Sequence, residues 1–201
     1  MKIIVAVALA IGAIALLWAQ RKTEPAASSG PEFTKDDKLL LPANYREWVF
    51  LSSGLGMNYG PVAEANRDRP PMFDNVFVNP DAYRSFMKTG TWPEKTMFIL
   101  EVRASASKGS INNGGHYQGS AIAVEAEVKD TARLGGWAFF AIGTGTEGKQ
   151  IPKTAGCYTC HSQKGAVDNT FVQFYPTLLP VAKEKGTLNP SYVAAAATES
   201  H

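Results

Sequence analysis

Thr96-Met97-Phe98-Ile99-Leu100-Glu101-Val102 is the stretch that decides the fold of this chain. β-Branched and aromatic residues dominate it, and such side chains suit a pleated, half-buried surface. Its alternation puts Phe98, Leu100 and Val102 on one face of a strand and Met97, Ile99 and Glu101 on the other. Upstream, Trp48–Leu51 and Asn75–Val78 read as two earlier strands. Asn79-Pro80-Asp81 then starts a helix, with Asn79 as N-cap and Pro80 at the first helical position. That helix covers Asp81–Lys88 and stops at Gly90. Downstream, Gly109–Gly115 is a turn, and Ala121–Val128 and Trp137–Ile142 are further strands. Phe171–Lys185 reads as a helix that Pro176 and Pro180 must break or bend. Strands with helices placed beside them predict an α+β fold, mainly an antiparallel β-sheet with a few flanking helices.

The 201 residues carry a formal net charge of +2, too small to argue for nucleic acid, and no basic stripe is present. At the N-terminus, Lys2 precedes an apolar run from Ile3 to Ala19. Its length of about 17 residues lies between a signal-peptide core and a membrane span. Leu17 is not the small residue a cleavage site prefers, and Arg21 and Lys22 follow at once. Residues 1–22 are therefore a cleaved signal peptide or a retained anchor through residues 3–19. Residues 23–32 form a small, polar linker. Residues 33–188 form one domain, opened by Phe33–Tyr45, and 189–201 a flexible tail. The loops Gly54–Pro71 and Gly143–Gly156 are its longest connections, and long loops inside compact domains are often functional.

Both cysteines of the chain lie in Cys157-Tyr158-Thr159-Cys160-His161. Two thiols three positions apart on one helical turn can reach both vinyl groups of a haem, and the following histidine can sit beneath the iron. The run therefore predicts one haem c bound through Cys157 and Cys160, with His161 as metal ligand, on one of the flanking helices. A zinc site would need two more ligands at suitable spacing, and only His116 and His201 remain as histidines. A thioredoxin-like redox pair would need a surrounding βαβ pattern, which is absent, and has no use for His161. Haem attachment outside the cytoplasm agrees with the export signal and predicts a periplasmic location. The β segments are too numerous for a four-helix cytochrome.

Leu39-Leu40-Leu41-Pro42-Ala43-Asn44-Tyr45-Arg46-Glu47-Trp48-Val49, Val76-Phe77-Val78-Asn79-Pro80-Asp81-Ala82-Tyr83, Lys88-Thr89-Gly90, Val128-Lys129-Asp130, Trp137-Ala138-Phe139, Cys157–His161 and Phe171–Pro176 are spread over most of the domain. In combination they resemble the cytochrome P-460 family and its cytochrome c′-β relatives. The resemblance implies a mostly antiparallel β domain with five-coordinate haem c, His161 proximal and the distal side open. It also implies a periplasmic homodimer that either oxidises hydroxylamine or binds nitric oxide. Cytochromes P-460 carry a lysine on the third strand that bonds to the macrocycle, and that position falls on Leu100 here. A register error of two residues would place Phe98 or Val102 there instead. Lys88, Lys95 and Lys108 are the nearby lysines, and the helix and turn positions of the first two make them poor substitutes. The lysine-free pattern matches the cytochrome c′-β branch.

An inward face of Phe98, Leu100 and Val102, with Met72 and Phe73 as further wall candidates, predicts an apolar distal site. Such a wall offers no hydrogen bond to dioxygen, so nitric oxide or a similar small gas is the expected ligand. Plain core packing is the competing reading of each of these residues. Hydroxylamine oxidation would require a distal acid or base, and the loop before the motif supplies Glu147, Gln150 and Lys153. Arg46 and Arg103 are candidate partners of the haem propionates. Simple electron transfer with a periplasmic redox partner would need a sixth ligand from His116, Met57, Met72, Met87 or Met97.

Overall fold

The computed structural model describes residues 30–59 and 70–199. The expected export segment and most of the linker lie outside them. Among the described residues, no helix is long and apolar enough to cross a membrane.

Seven strands form one antiparallel sheet: β1 Leu39–Leu40, β2 Val49–Leu55, β3 Met72–Val78, β4 Met97–Ala106, β5 Tyr117–Asp130, β6 Gly136–Gly143 and β7 Glu147–Gln150. Their spatial order is β1-β7-β6-β5-β4-β3-β2. Strands β2 to β7 therefore lie beside their chain neighbours, and β1 returns to pair with β7. This is the α+β, mainly antiparallel architecture expected from the alternating segments. Strands β1 and β7 are short and have little apolar alternation, so the sequence pattern does not expose them; pairing with β6 is what makes β7 a strand.

The predicted alternation of β4 separates two cores. Met97 and Ile99 join Phe77, Val128 and Phe140 on one face. Phe98 joins Val78, Phe86, Trp92 and Tyr175 on the other, where the helices pack. Fully burying each large side chain of this kind contributes about 1.5–3 kcal/mol. A bulge between Phe50 and Ser52 breaks the alternation of β2. As a result Leu51 joins the helix-side core and Ser52 lines the cavity described below.

Helix α1, Pro80–Thr89, buries Ala82 and Phe86, one turn apart, against that core. Gly90 ends it at φ 73°, a conformation that suits glycine, and its N–H bonds Phe86 O. Asn79 stands at the N-cap position, but its side chain does not cap the helix. Its Oδ1 accepts from Met97 N at 2.8 Å and its Nδ2 donates to Lys95 O at 3.3 Å, which ties the helix start to β4.

Helix α2, Thr131–Leu134, is capped by Asp130, which accepts from Arg133 N at 3.1 Å. Helix α3, Gly156–Lys164, carries the Cys157–His161 motif. The expected helix over Phe171–Lys185 is broken, as Pro176 and Pro180 require: a 3₁₀ turn at Val172–Phe174 precedes α4, Leu179–Lys185. Where a flexible tail was expected, residues 190–199 form α5, begun by Pro190 and rich in alanine. Tyr192 packs it against the helix-side core.

Candidate haem site

Helix α3 buries none of its own residues and so needs other anchors. Tyr158 is one: its hydroxyl donates to Ile151 O at 3.1 Å, accepts from Phe139 N at 3.2 Å, and its ring meets Phe139 edge-on at 4.6 Å. His161 is the other. Its ring lies between Phe139 and Phe171, with centroids at 4.5 Å and 4.3 Å. Nδ1 of His161 is 2.8 Å from Asn169 O. A carbonyl only accepts, so Nδ1 carries the hydrogen and, in the neutral ring, Nε2 keeps its lone pair.

The loop that presents Asn169 is held at several points. A Cβ on Gly165 would lie 2.8 Å from both His161 O and Thr170 N, so only glycine permits this close approach. Asn189 Nδ2 donates to Gly165 O and Asp168 O, both at 2.7 Å. Trp92 Nε1 donates to Thr170 Oγ1 at 2.8 Å.

Between α3, the 3₁₀ turn and the helix-side face of the sheet lies a cavity of about 300 Å³. This volume is at the small end of the range for ligand pockets. Val76, Phe98 and Leu100 supply apolar wall from β3 and β4, and Cys160 and His161 enter from α3. Cys157 is half-buried on the same helix but does not line the cavity. Burial pushes the thiol of Cys157 above its ordinary value.

Three carboxyls interrupt the apolar wall: Asp74, Glu125 and Glu127. Burial, with the Glu125 charge added, pushes Asp74 up to about 6. Burial also pushes Glu127 up, partly offset by His161. Oε1 of Glu127 is buried without a hydrogen-bond partner and lies 3.5 Å from His161 Nδ1. Sequence alternation conceals these acids. Glu125 and Glu127 alternate with Val124, Ala126 and Val128, a pattern that normally marks a solvent-facing side. Here α3 covers that side at Glu127, while Glu125 stays exposed at the cavity.

The other expected site residues fall elsewhere. Phe73 does not line the cavity: on β3 it alternates with the cavity residues Asp74 and Val76 and so points to the opposite face. Val102 is half-buried and is also missing from the wall. Arg46 and Arg103 are engaged away from the cavity, on Glu101. Arg46 Nε donates to Glu101 Oε2 at 2.9 Å and Arg103 Nε to Oε1 at 2.6 Å, and the Tyr45 hydroxyl joins them. His116 and Met87 are exposed, and Met97 is buried in the far core. Met72 lines a small neighbouring pocket, whereas Met57 lines the cavity itself. Glu147 pairs with Lys38 and Lys153 donates to Leu134 O. Gln150 is held in β7 opposite Phe140. Of the lysines, Lys88 and Lys108 are exposed and Lys95 pairs with Asp130. Leu100 does lie in the cavity wall.

A flat, largely apolar macrocycle fits this site. The walls are mainly aliphatic and aromatic, an imidazole enters from one helix, and two thiols stand on that helix. The arrangement defines a sheet-based haem protein of the cytochrome type. The sequence model of the family described as cytochrome P460 matches residues 42–172. The chain belongs to the cytochrome P460 family and is a haem-binding cytochrome. No curated protein matches the chain.

Proposed function

We propose that the chain holds one haem c through thioethers to Cys157 and Cys160, with His161 Nε2 as axial ligand and the other axial side open to nitric oxide or a similar small gas. The observation that carries this reading is Leu100 in the cavity wall that His161 enters. Leucine can neither bond to the macrocycle nor ligate iron. The haem supplies an iron centre that binds small diatomic gases. The protein's part is to shape the space around it. Phe98, Leu100 and Val76 exclude water and limit the size of what can enter. Lys164, a cation in the cavity wall, is suited to a propionate, the role the sequence suggested for Arg46 and Arg103. Export to the periplasm, tethering through residues 3–19, homodimerisation and a periplasmic redox partner belong to the same reading.

A second reading, oxidation of hydroxylamine or a related nitrogen compound, is favoured by Asp74 in the cavity wall. A carboxyl that titrates at about 6 can exchange protons near neutrality, as proton-coupled oxidation requires. Electron transfer with a six-coordinate iron would need Met57, the one axial candidate that lines the cavity.

The deciding experiment is the absorption spectrum of the reduced protein before and after nitric oxide. A high-spin haem c spectrum that shifts with the gas supports the gas-binding reading. A Soret band displaced far to the red means a cross-linked macrocycle and overturns the Leu100 argument. Sharp low-spin bands that ignore the gas mean a closed iron.

A further inference from the structure

Glu127 is an expensive residue to keep. Burying a carboxyl oxygen without a hydrogen-bond partner costs stability, and a leucine at this position would carry no such penalty. The Glu127 Oε1 orphan therefore calls for a partner, and an N–H of His161 stands close to it. Nδ1 of His161 already donates to Asn169 O at 2.8 Å, and Glu127 Oε1 stands 3.5 Å from the same nitrogen, at the outer limit of hydrogen bonding. Phe139 and Phe171 confine the ring from its sides, so its remaining freedom is rotation within that slot. The register of the sheet sets Glu127 on β5 opposite Phe139 on β6, so one residue pair provides both the acceptor and part of the slot.

We propose that Glu127 is a positioning residue for His161: a second acceptor for the Nδ1–H that fixes the plane of the imidazole and strengthens its electron donation through Nε2. The inference rests on haem ligation by His161. Acceptors behind a metal-bound histidine orient the ring and raise its basicity, and a more basic axial ligand favours the oxidised iron. Two acceptors on one N–H, a fixed carbonyl and an adjustable carboxyl, let the loop 165–170 and the sheet both bear on the ring. Glu125, two residues earlier on β5, faces the same cavity without an ion pair to His161 and serves as the internal control.

The test compares holoprotein of wild type, Glu127→Leu, Glu127→Gln and Glu125→Gln. Haem content is read first by the pyridine haemochrome spectrum. Wild type without covalent haem would mean that the haem c reading itself fails. With haem present, two quantities are measured: the iron–histidine stretching frequency of the ferrous protein by resonance Raman, and the midpoint potential. The expected result is a lower frequency and a higher potential in Glu127→Leu, a smaller change in Glu127→Gln, which retains an acceptor oxygen, and no frequency change in Glu125→Gln. A Glu127→Leu protein indistinguishable from wild type in both quantities overturns the proposal. If that variant does not take up haem, Glu127→Gln decides: an unchanged frequency overturns the proposal and a lowered one supports it.

Discussion

The backbone carbonyl of Asn169 accepts the Nδ1–H of His161 at 2.8 Å, so a loop that follows the haem helix sets the tautomer of a residue within it. The geometry depends on Gly165, where any side chain would collide with His161 O, Thr170 N and Asn169. Gly165→Ala must push the loop away from the helix. The expected cost is about 1–3 kcal/mol, as for other overpacked sites. Thermal unfolding measures the cost, and the ferrous haem spectrum reports whether the ligand environment has moved; an unchanged melting temperature would contradict the contact.

Tyr158→Phe removes only a hydroxyl, yet it leaves Phe139 N and Ile151 O without the partners that fasten α3 to β6. Unpaired groups of this kind cost about 1–3 kcal/mol. The loss is expected in urea unfolding, with the haem-loaded fraction falling as the helix loosens.

Asp74 gives the haem-free protein a pH dependence of definite sign. Its carboxyl titrates at about 6 in the fold, against 3.8 for an ordinary aspartate. Between those values the folded state binds more protons than the unfolded state, so stability falls as pH rises through the window. Asp74→Asn cannot ionise and should flatten that part of the profile. Equilibrium unfolding of both proteins from pH 4 to 7 checks this, and parallel profiles would rule it out.

Arg103 separates stability from haem binding. Burial alone would raise Glu101, but Tyr45, Arg103 and Arg46 outweigh it and hold the carboxyl below its usual range. Arg103→Ala leaves a buried carboxylate short of one partner, a change that costs about 3 kcal/mol. Because the cluster faces away from the cavity, the absorption spectrum and haem content should match wild type. Glu101 stabilises the fold above the usual carboxylate range and loses that effect on acidification. The variant should therefore lose less stability than wild type as pH falls below 5. A changed haem spectrum would place Arg103 at the macrocycle after all.

The sequence alone determined the sheet and marked the run Cys157–His161 that one helix carries. Thr96–Val102 alternates strongly enough that its two faces could be assigned before any partner was known, and the two cores of the structure follow that assignment. Asn79-Pro80 placed the start of α1 because proline suits the first helical position wherever the helix packs. Cys157–His161 was legible as a candidate attachment run because its spacing needs only one helical turn, and the structure places it on α3. Tertiary structure decided the rest, because it depends on which face another element covers. Glu127 looks solvent-facing by alternation and becomes a cavity residue only because α3 lies over it, while Glu125 keeps its exposure at the cavity. Phe73 looks like wall and points away because its neighbours Asp74 and Val76 take the inner face. Arg46 and Arg103 meet Glu101 because residues distant in sequence converge there, and residues 190–199 become a helix packed on the core through Tyr192. Local periodicity carries the direction of each side chain, while long-range packing decides what stands in front of it.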